Sequence, residues 1–246
     1  MKRILLFSGG LDSYAAWHLL GKPTPLYFAL GHRYERAERA TIAYLERTNP
    51  GLDVLIDNRV SLDDIEQPDA HIPLRNALLI ALAAATQDPD VIYIGALRGE
   101  SSRDKSMKFL RITEEMLSFL RNKPIRIEAP FLRLTKADVV KRLIKEKPDA
   151  VAGIQDTFSC YTYAVPRSDY KGCGRCMACF RRWVALSLND ISEQYEHEPW
   201  AWEQMQTSNW RAGLTALRQS HYSEWPHILI NNYQAMHAMK KVITKK

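Results

Sequence analysis

The segment MKRILLFSGGLDS, at residues 1–13, decides the fold of this 246-residue chain. The apolar run before the glycines predicts a buried strand, and the apolar run after them predicts a helix. Gly9 and Gly10 are poor residues for the interior of either element. A glycine turn at the start of a helix leaves backbone N–H groups that attract an anion. Because Ser8 and Ser13 add hydroxyl groups, the segment predicts a phosphate-binding loop.

Short apolar runs alternate with amphipathic segments over the first 150 residues. This alternation predicts an α/β fold with a parallel, five-stranded, doubly wound sheet and helices on both faces. In such a sheet, ligands bind beyond the carboxyl ends of the strands, which is where the glycine loop lies. The predicted strands cover residues 3–7, 26–30, 54–56, 91–94 and 125–127. The predicted helices cover residues 13–20, 35–47, 76–87, 104–121 and 136–145, and Thr135 is the predicted N-cap of the last one.

The composition is that of an ordinary soluble protein, with 46% hydrophobic and 25% charged residues. No apolar stretch is long enough for a membrane span, and too few apolar residues follow Lys2 and Arg3 for a secretory signal. We therefore expect a cytoplasmic protein. The net charge of +6 suits an anionic ligand. Because four lysines stand at residues 240–246, we favour a solvated basic tail over a nucleic-acid-binding patch.

All four cysteines of the chain cluster at residues 160–179, as Cys160, Cys173, Cys176 and Cys179. In a reducing compartment, such a cluster indicates a metal rather than disulfides. Four thiolates match a closed, tetrahedral zinc site. An iron–sulfur cluster uses the same ligands, but nothing else in the sequence suggests redox chemistry, so we predict zinc. The expected organisation is a nucleotide-binding α/β domain (1–150), a zinc-binding segment (151–190) and a helical C-terminal extension (191–246), following a helix at residues 181–188.

The glycine loop has neither the Gly-Lys-Ser/Thr of a Walker A loop nor the G-x-G-x-x-G of a dinucleotide fold. The pattern S-G-G-x-D-S, directly after an N-terminal strand, instead resembles the PP-loop of the N-type ATP pyrophosphatases. Members of that superfamily cleave ATP between the α- and β-phosphates and adenylate an oxygen of their substrate. The resemblance implies that ATP binds to this loop.

Further motifs, in order along residues 3–190, resemble the 7-cyano-7-deazaguanine synthase (QueC) family, whose members make the nitrile precursor of queuosine. The S-C-Y and C-G-x-C-x-x-C motifs are the most discriminating of them. The matching pieces are the loop at 8–13, HIPLRN at 71–76, Ile94-Gly95, Pro130 with LTKAD at 134–138, TFSCY at 157–161, and CGRCMAC at 173–179 with Arg182 following.

This resemblance implies an ATP-dependent carbon–nitrogen ligase that adenylates 7-carboxy-7-deazaguanine and uses ammonia to form an amide and then a nitrile. Asp12 and Ser13 are the predicted catalytic residues, and Arg75, Asn76 and Asp104 are the predicted substrate residues. The four cysteines would hold Zn²⁺ as a scaffold, and a homodimer is the expected assembly. ATP, with Mg²⁺, would lie on Phe7, Ser8, Gly9, Gly10, Leu11, Asp12, Ser13, Tyr14, Ala15, Ala16 and Trp17.

Two segments depart from the family pattern. In LGHRY at 30–34, His32 and Tyr34 stand at the two positions where the family carries Gln and His. SSRDKS at 101–106 keeps only Asp104 of the segment that the family is expected to use to recognise the deazaguanine. These departures leave open a QueC-like paralogue with a different acceptor, for instance in a phage-related or defence modification system. A tRNA thiolation enzyme would need a cysteine beyond the four metal candidates. A non-catalytic RNA-binding protein would not need the intact glycine loop.

Overall fold

The computed structural model describes residues 1–67, 71–98, 100, 102–162, 170–199, 234 and 238. Five strands form one sheet in which every pair of neighbours is parallel, in the order β3-β2-β1-β4-β5. The predicted five-stranded parallel sheet is confirmed. The strands are β1 (Arg3–Leu6), β2 (Thr24–Phe28), β3 (Leu55–Asp57), β4 (Val91–Tyr93) and β5 (Arg126–Glu128).

Helices connect the strands and cover both faces of the sheet. The α-helices of the described residues are α1 (Leu11–Leu19), α2 (Glu35–Thr48), α3 (Arg75–Gln87), α4 (Met107–Arg121), α5 (Lys136–Glu146) and α6 (Met177–Ser187). Short 3₁₀ helices lie at Asp63–Ile65, Arg103–Lys105, Pro148–Ala150 and Ala152–Asp156. None of the helices in the described part of the chain is long and apolar enough to cross a membrane.

The strands alternate their side chains between two apolar cores. Leu5 of β1 packs with α1, α2, α5 and α6 on one face, whereas Ile4 packs with α3 and α4 on the other. Successive side chains of a strand point to opposite faces of the sheet. An apolar strand therefore contributes side chains to the core on each face. The predicted doubly wound arrangement, with helices on both faces, is therefore confirmed.

The helix starts show where local sequence rules succeed and fail. The predicted N-cap of α5 is confirmed as a capping box: the Thr135 hydroxyl accepts from the Asp138 amide at 3.2 Å, and the Asp138 carboxylate accepts from the Thr135 amide at 2.9 Å. Helix α4 starts at Met107 instead of 104, because the Ser106 hydroxyl caps it. Helix α6 starts at Met177 instead of 181, because the Cys176 sulfur accepts from the Cys179 amide at 3.5 Å.

The boundaries at 150 and 190 stay a prediction. Helix α6 contributes Ala185 and Leu186 to the same core as α1 and α5. Residues 191–198 are not helical and pair with the cysteine segment, since Lys171 donates to the Gln194 carbonyl at 2.8 Å. Gln234 is helical. Most of the predicted helical extension lies outside the described residues.

Candidate active site and metal centre

A cavity of about 430 Å³ lies beyond the carboxyl ends of β1, β2 and β4. The order of the sheet reverses between β1 and β4, since the chain builds β2 and β3 on one side of β1 and then crosses to the other. Open α/β sheets bind their ligands in the crevice at such a reversal. The cavity wall combines the loop after β1, the first residues of α3 and α5, and one side of α6.

The glycine loop is fixed by its neighbours. Gly9 has a φ of +71°, which favours glycine, and a Cβ there would lie a tight 3.3 Å from side-chain carbons of Thr41 and Ile42 in α2. The Ser13 hydroxyl accepts from the Ser8 amide at 3.3 Å and donates to the Gly10 carbonyl at 3.0 Å. The N-cap of α1 is Gly10, which has no side chain to cap the helix. Its first N–H groups can therefore serve an anion.

The predicted ATP residues divide into two groups. Phe7, Ser8, Gly10, Leu11, Asp12 and Ser13 line the cavity, and Gly9 shapes the loop behind them. Tyr14, Ala15, Ala16 and Trp17 instead lie in the apolar core, away from the cavity wall. The Tyr14 hydroxyl donates to the Ala150 carbonyl at 3.0 Å. Only the first turn of α1 thus faces the cavity, and the assignment of these residues to ATP stays a prediction.

Lys136 is a cavity residue within the LTKAD motif, where the sequence favours a structural role at the start of a helix over a direct catalytic one. It is the first residue of α5, and its ammonium group forms an ion pair with the Asp12 carboxylate. Both side chains line the cavity, and the second Asp12 oxygen, Oδ1, is buried without a hydrogen-bond partner in the described part of the chain. The pair places a cation beside the glycine loop, where a Walker A loop carries its own lysine.

The predicted substrate residues at the start of α3 lie across the cavity. Arg75 and Asn76 both line it, and Arg75 Nη1 donates to the Tyr34 hydroxyl at 3.2 Å. The Tyr34 ring stacks on that of Tyr161, with centroids 5.3 Å apart. Burial raises the pKa of Tyr34 to about 12, so its hydroxyl stays neutral. This end of the cavity therefore combines aromatic faces with one guanidinium group.

Asp104 stands one residue behind the cavity wall. It does not line the cavity, and its Oδ2 accepts from Asn76 Nδ2 at 2.9 Å while the Ser102 hydroxyl contacts its other oxygen. Lys105 of this altered segment does line the cavity, where it forms an ion pair at 2.8 Å with Glu100, just before the segment. The role of Asp104 toward a substrate stays a prediction.

The four cysteines form one cluster beside the cavity. The Sγ atoms of Cys160, Cys173, Cys176 and Cys179 all lie within 4.8 Å of one another. Sulfurs about 2.3 Å from a tetrahedral zinc ion would be about 3.8 Å apart, so the donor set fits such an ion. A Cβ on Gly172 would lie 2.5 Å from the Cys179 sulfur, so only glycine fits at this position. Amide groups also donate to the sulfurs, as from Arg175 to Cys173 at 3.3 Å.

Fold and site together define an α/β protein with a ligand cavity at the reversal of its sheet and a four-cysteine cluster, fit for a metal ion, at the cavity wall. The family follows from sequence comparison. Residues 51–190, more than half of the chain, match the family described as queuosine biosynthesis protein QueC, and the chain belongs to this family. The resemblance seen in the sequence motifs is confirmed, and membership of this family implies ATP use.

Curated relatives align with most of the chain. A 7-cyano-7-deazaguanine synthase of Hahella chejuensis is 25% identical over 224 residues, which cover 80% of this chain and 93% of the relative. A 7-cyano-7-deazaguanine synthase 2 of Colwellia psychrerythraea is also 25% identical, covering 80% and 98%. A 7-cyano-7-deazaguanine synthase of Methanosphaerula palustris is 26% identical over 234 residues, which cover 80% of this chain and 100% of the relative. These alignments span nearly the whole length of the relatives.

Proposed function

We propose that this protein is an ATP-dependent ligase that converts 7-carboxy-7-deazaguanine and ammonia to 7-cyano-7-deazaguanine. The observation that carries the proposal is a cavity lined both by the glycine loop with Lys136 and by Arg75 with Asn76. Such a cavity can hold a nucleotide and a carboxylate side by side. The shared name of the relatives supports this acceptor over a different one, so the paralogue is not favoured.

The chemistry needs a leaving group, because a carboxylate is a poor electrophile. Adenylation supplies that group, and the charge of the departing pyrophosphate would be stabilised by the loop amides, by Lys136 and by Mg²⁺. Asp12, whose Oδ1 has no hydrogen-bond partner among the described residues, would orient the loop or hold Mg²⁺. Arg75 offers a guanidinium group for the substrate carboxylate. Ammonia then forms the amide, which a second ATP activates for dehydration to the nitrile.

The metal of the cysteine cluster is proposed to be Zn²⁺, held by all four thiolates. A closed four-thiolate site leaves no open coordination position, so the ion supplies a scaffold for the cavity wall at Cys160. Elemental analysis should find about one zinc per chain. Gly172→Ala should lose the metal, whereas Gly95→Ala, where a Cβ meets nothing within 4 Å, should keep it. Iron in place of zinc would refute the assignment.

The function is tested by mass spectrometry of the products formed from 7-carboxy-7-deazaguanine, ATP, Mg²⁺ and an ammonium salt. We expect the amide, then the nitrile, with AMP and pyrophosphate from the activation step. Asp12→Ala should stop turnover and leave the fold intact. ADP and inorganic phosphate as the only nucleotide products would overturn the proposal, as would ATP turnover with no change in this carboxylate. The same proposal includes a cytoplasmic enzyme that works as a homodimer.

A further inference from the structure

Glu38 is an acidic residue of α2 whose side chain reaches the cavity. Its Oε2 accepts from the Tyr27 hydroxyl at 2.9 Å and from His32 Nε2 at 3.0 Å. Its other oxygen, Oε1, has no hydrogen-bond partner among the described residues. Burial, together with the Glu38 charge, raises the pKa of Tyr27 well above its usual range, so this hydroxyl remains a donor. One carboxylate oxygen is thus held in place and the other is left for a ligand.

The groups around Glu38 suit a small cation. The His32 imidazole is 7% exposed, and its Nδ1 is buried without a hydrogen-bond partner in the described part of the chain. The ring of Tyr34 meets that of His32 edge-on at 4.3 Å and stacks on Tyr161. Aromatic faces beside a carboxylate attract ammonium groups. Among the described residues, no lysine or arginine forms a hydrogen bond or an ion pair with Glu38, and Arg75 is the nearby cation that feels its charge.

Glu38 also lies on the turn of α2 that adjoins the glycine loop. Its carbonyl oxygen lies 3.6 Å from where a Cβ of Gly9 would stand, so this turn of α2 adjoins the phosphate-binding loop. Arg75 donates to the Tyr34 hydroxyl at 3.2 Å and lines the same cavity, where it can hold a substrate carboxylate. A nucleophile bound at Glu38 would therefore share one cavity with the glycine loop and with a carboxylate held by Arg75.

We propose that Glu38 binds ammonium and acts as the base that converts it to ammonia, with His32 and Tyr27 as its positioning residues. The inference rests on the proposed ligase function and assigns the nucleophile's site within it. Near neutral pH ammonium has no lone pair to give, so a base must first remove a proton. The sequence offered no candidate for this base, because Glu38 reads as one charge among several on α2.

The step balances in atoms and charge. Glu38 Oε1 takes one proton from ammonium and becomes a neutral carboxyl group, which leaves ammonia. The nitrogen lone pair forms the C–N bond to the acyl carbon, the C–O bond to AMP breaks, and AMP leaves with that electron pair. The nitrogen loses one further proton to solvent on becoming an amide, and Glu38 returns its own proton to solvent.

The test compares Glu38→Gln with Glu46→Gln, a second glutamate of α2. Glu46 accepts from the Val54 amide at 2.8 Å, and a Gln side chain can keep that bond. In Glu38→Gln we expect kcat/KM for ammonium to fall about 100-fold or more, the usual size of a general-base contribution. Carboxylate-dependent exchange of pyrophosphate into ATP, measured without ammonium, should stay close to wild type. Glu46→Gln should match wild type in both assays.

Hydroxylamine separates the base from other roles, because it is already unprotonated near neutral pH. We expect Glu38→Gln to form the hydroxamate at close to the wild-type rate. Slow hydroxamate formation, or a raised KM for ATP, Mg²⁺ or the carboxylate, would overturn the inference and make Glu38 a ligand of those groups. Unchanged kinetics for ammonium would overturn it as well. If wild type shows no exchange and no product, the proposed function itself fails.

Discussion

Lys136 and Asp12 stand 124 residues apart in the sequence, yet their side chains form an ion pair at the glycine loop. An ammonium group held there is placed to meet the phosphates of a nucleotide, which would compete with Asp12 for it. The pair is partly open to the cavity, with the two side chains 20% and 28% exposed. Its main effect should therefore be on nucleotide binding and not on the stability of the fold.

We predict that Lys136→Met lowers kcat/KM for ATP about 10- to 100-fold, since a hydrogen bond to a charged group contributes about 1.5–3 kcal/mol. The melting temperature should change little, because the N-cap of α5 uses Thr135 and Asp138. Lys141→Met, an exposed position on the same helix, is the matched control and should behave as wild type. Pyrophosphate exchange at several ATP concentrations gives the measurement. An unchanged KM and kcat would show that Lys136 does not contact the nucleotide.

At this scale the sequence predicts what is local. The glycine loop can be read from residues 8–13, because a strand, a glycine pair and a helix start are all set by neighbouring residues. Lys136 and Glu38 reach the cavity only because α5 and α2 pack beside the loop. Nothing in the residues around Glu38 reports that packing, and the LTKAD motif contains Lys136 without showing that it meets Asp12.

Helix α6 links the metal cluster to the body of the protein. Arg182 in its middle is 1% exposed and donates from Nε and Nη2 to the two oxygens of Glu193, at 2.8 and 2.6 Å. Its Nη1 donates to the Thr157 hydroxyl at 2.6 Å, just before the segment that carries Cys160. The guanidinium group therefore ties α6, the residues after it and the S-C-Y segment to one another.

We predict that Arg182→Met lowers the free energy of unfolding by about 3–5 kcal/mol, because it leaves the buried Glu193 carboxylate without its charge partner. Adding Glu193→Gln should recover part of this loss. Arg142→Met breaks an ion pair of α5 whose side chains are 39% and 43% exposed, and should cost at most a few tenths of a kcal/mol. Urea unfolding of the zinc-loaded proteins measures all three. Similar losses for Arg182→Met and Arg142→Met would contradict the assigned role.

At the scale of elements, the strands and most helices were predictable, because apolar runs and amphipathic periods are properties of short segments. The start of α6 was not, since a thiol is not among the usual N-cap residues and Cys176 caps the helix through its sulfur. The start of α4 was misplaced for a related reason. Asp104 looks like a helix start in sequence, but its carboxylate binds Asn76 and Ser106 caps the helix instead.

For the whole molecule, one described surface is unusually apolar. Helix α4 packs its inner side against the sheet, near the edge strand β5, and exposes Ile112, Met116, Phe119 and Leu120 on its outer side. Their exposed fractions run from 47% to 82%. Their spacing of four, three and one residues places them on one face of the helix. Soluble monomers rarely expose a continuous apolar patch of this kind, which supports the proposed homodimer.

We predict that the protein is a dimer through this face of α4, because two copies related by a twofold axis can bury the same patch on each other. Light scattering after size-exclusion chromatography should give about twice the mass of one chain. Phe119 is the most exposed of these four residues, and Phe119→Asp should give a monomer that still holds its metal. Tyr44→Asp, which changes a 43% exposed aromatic residue on α2, should leave the dimer intact. A wild-type protein that is monomeric at every concentration would refute the assembly, and a dimeric Phe119→Asp would move the interface away from α4.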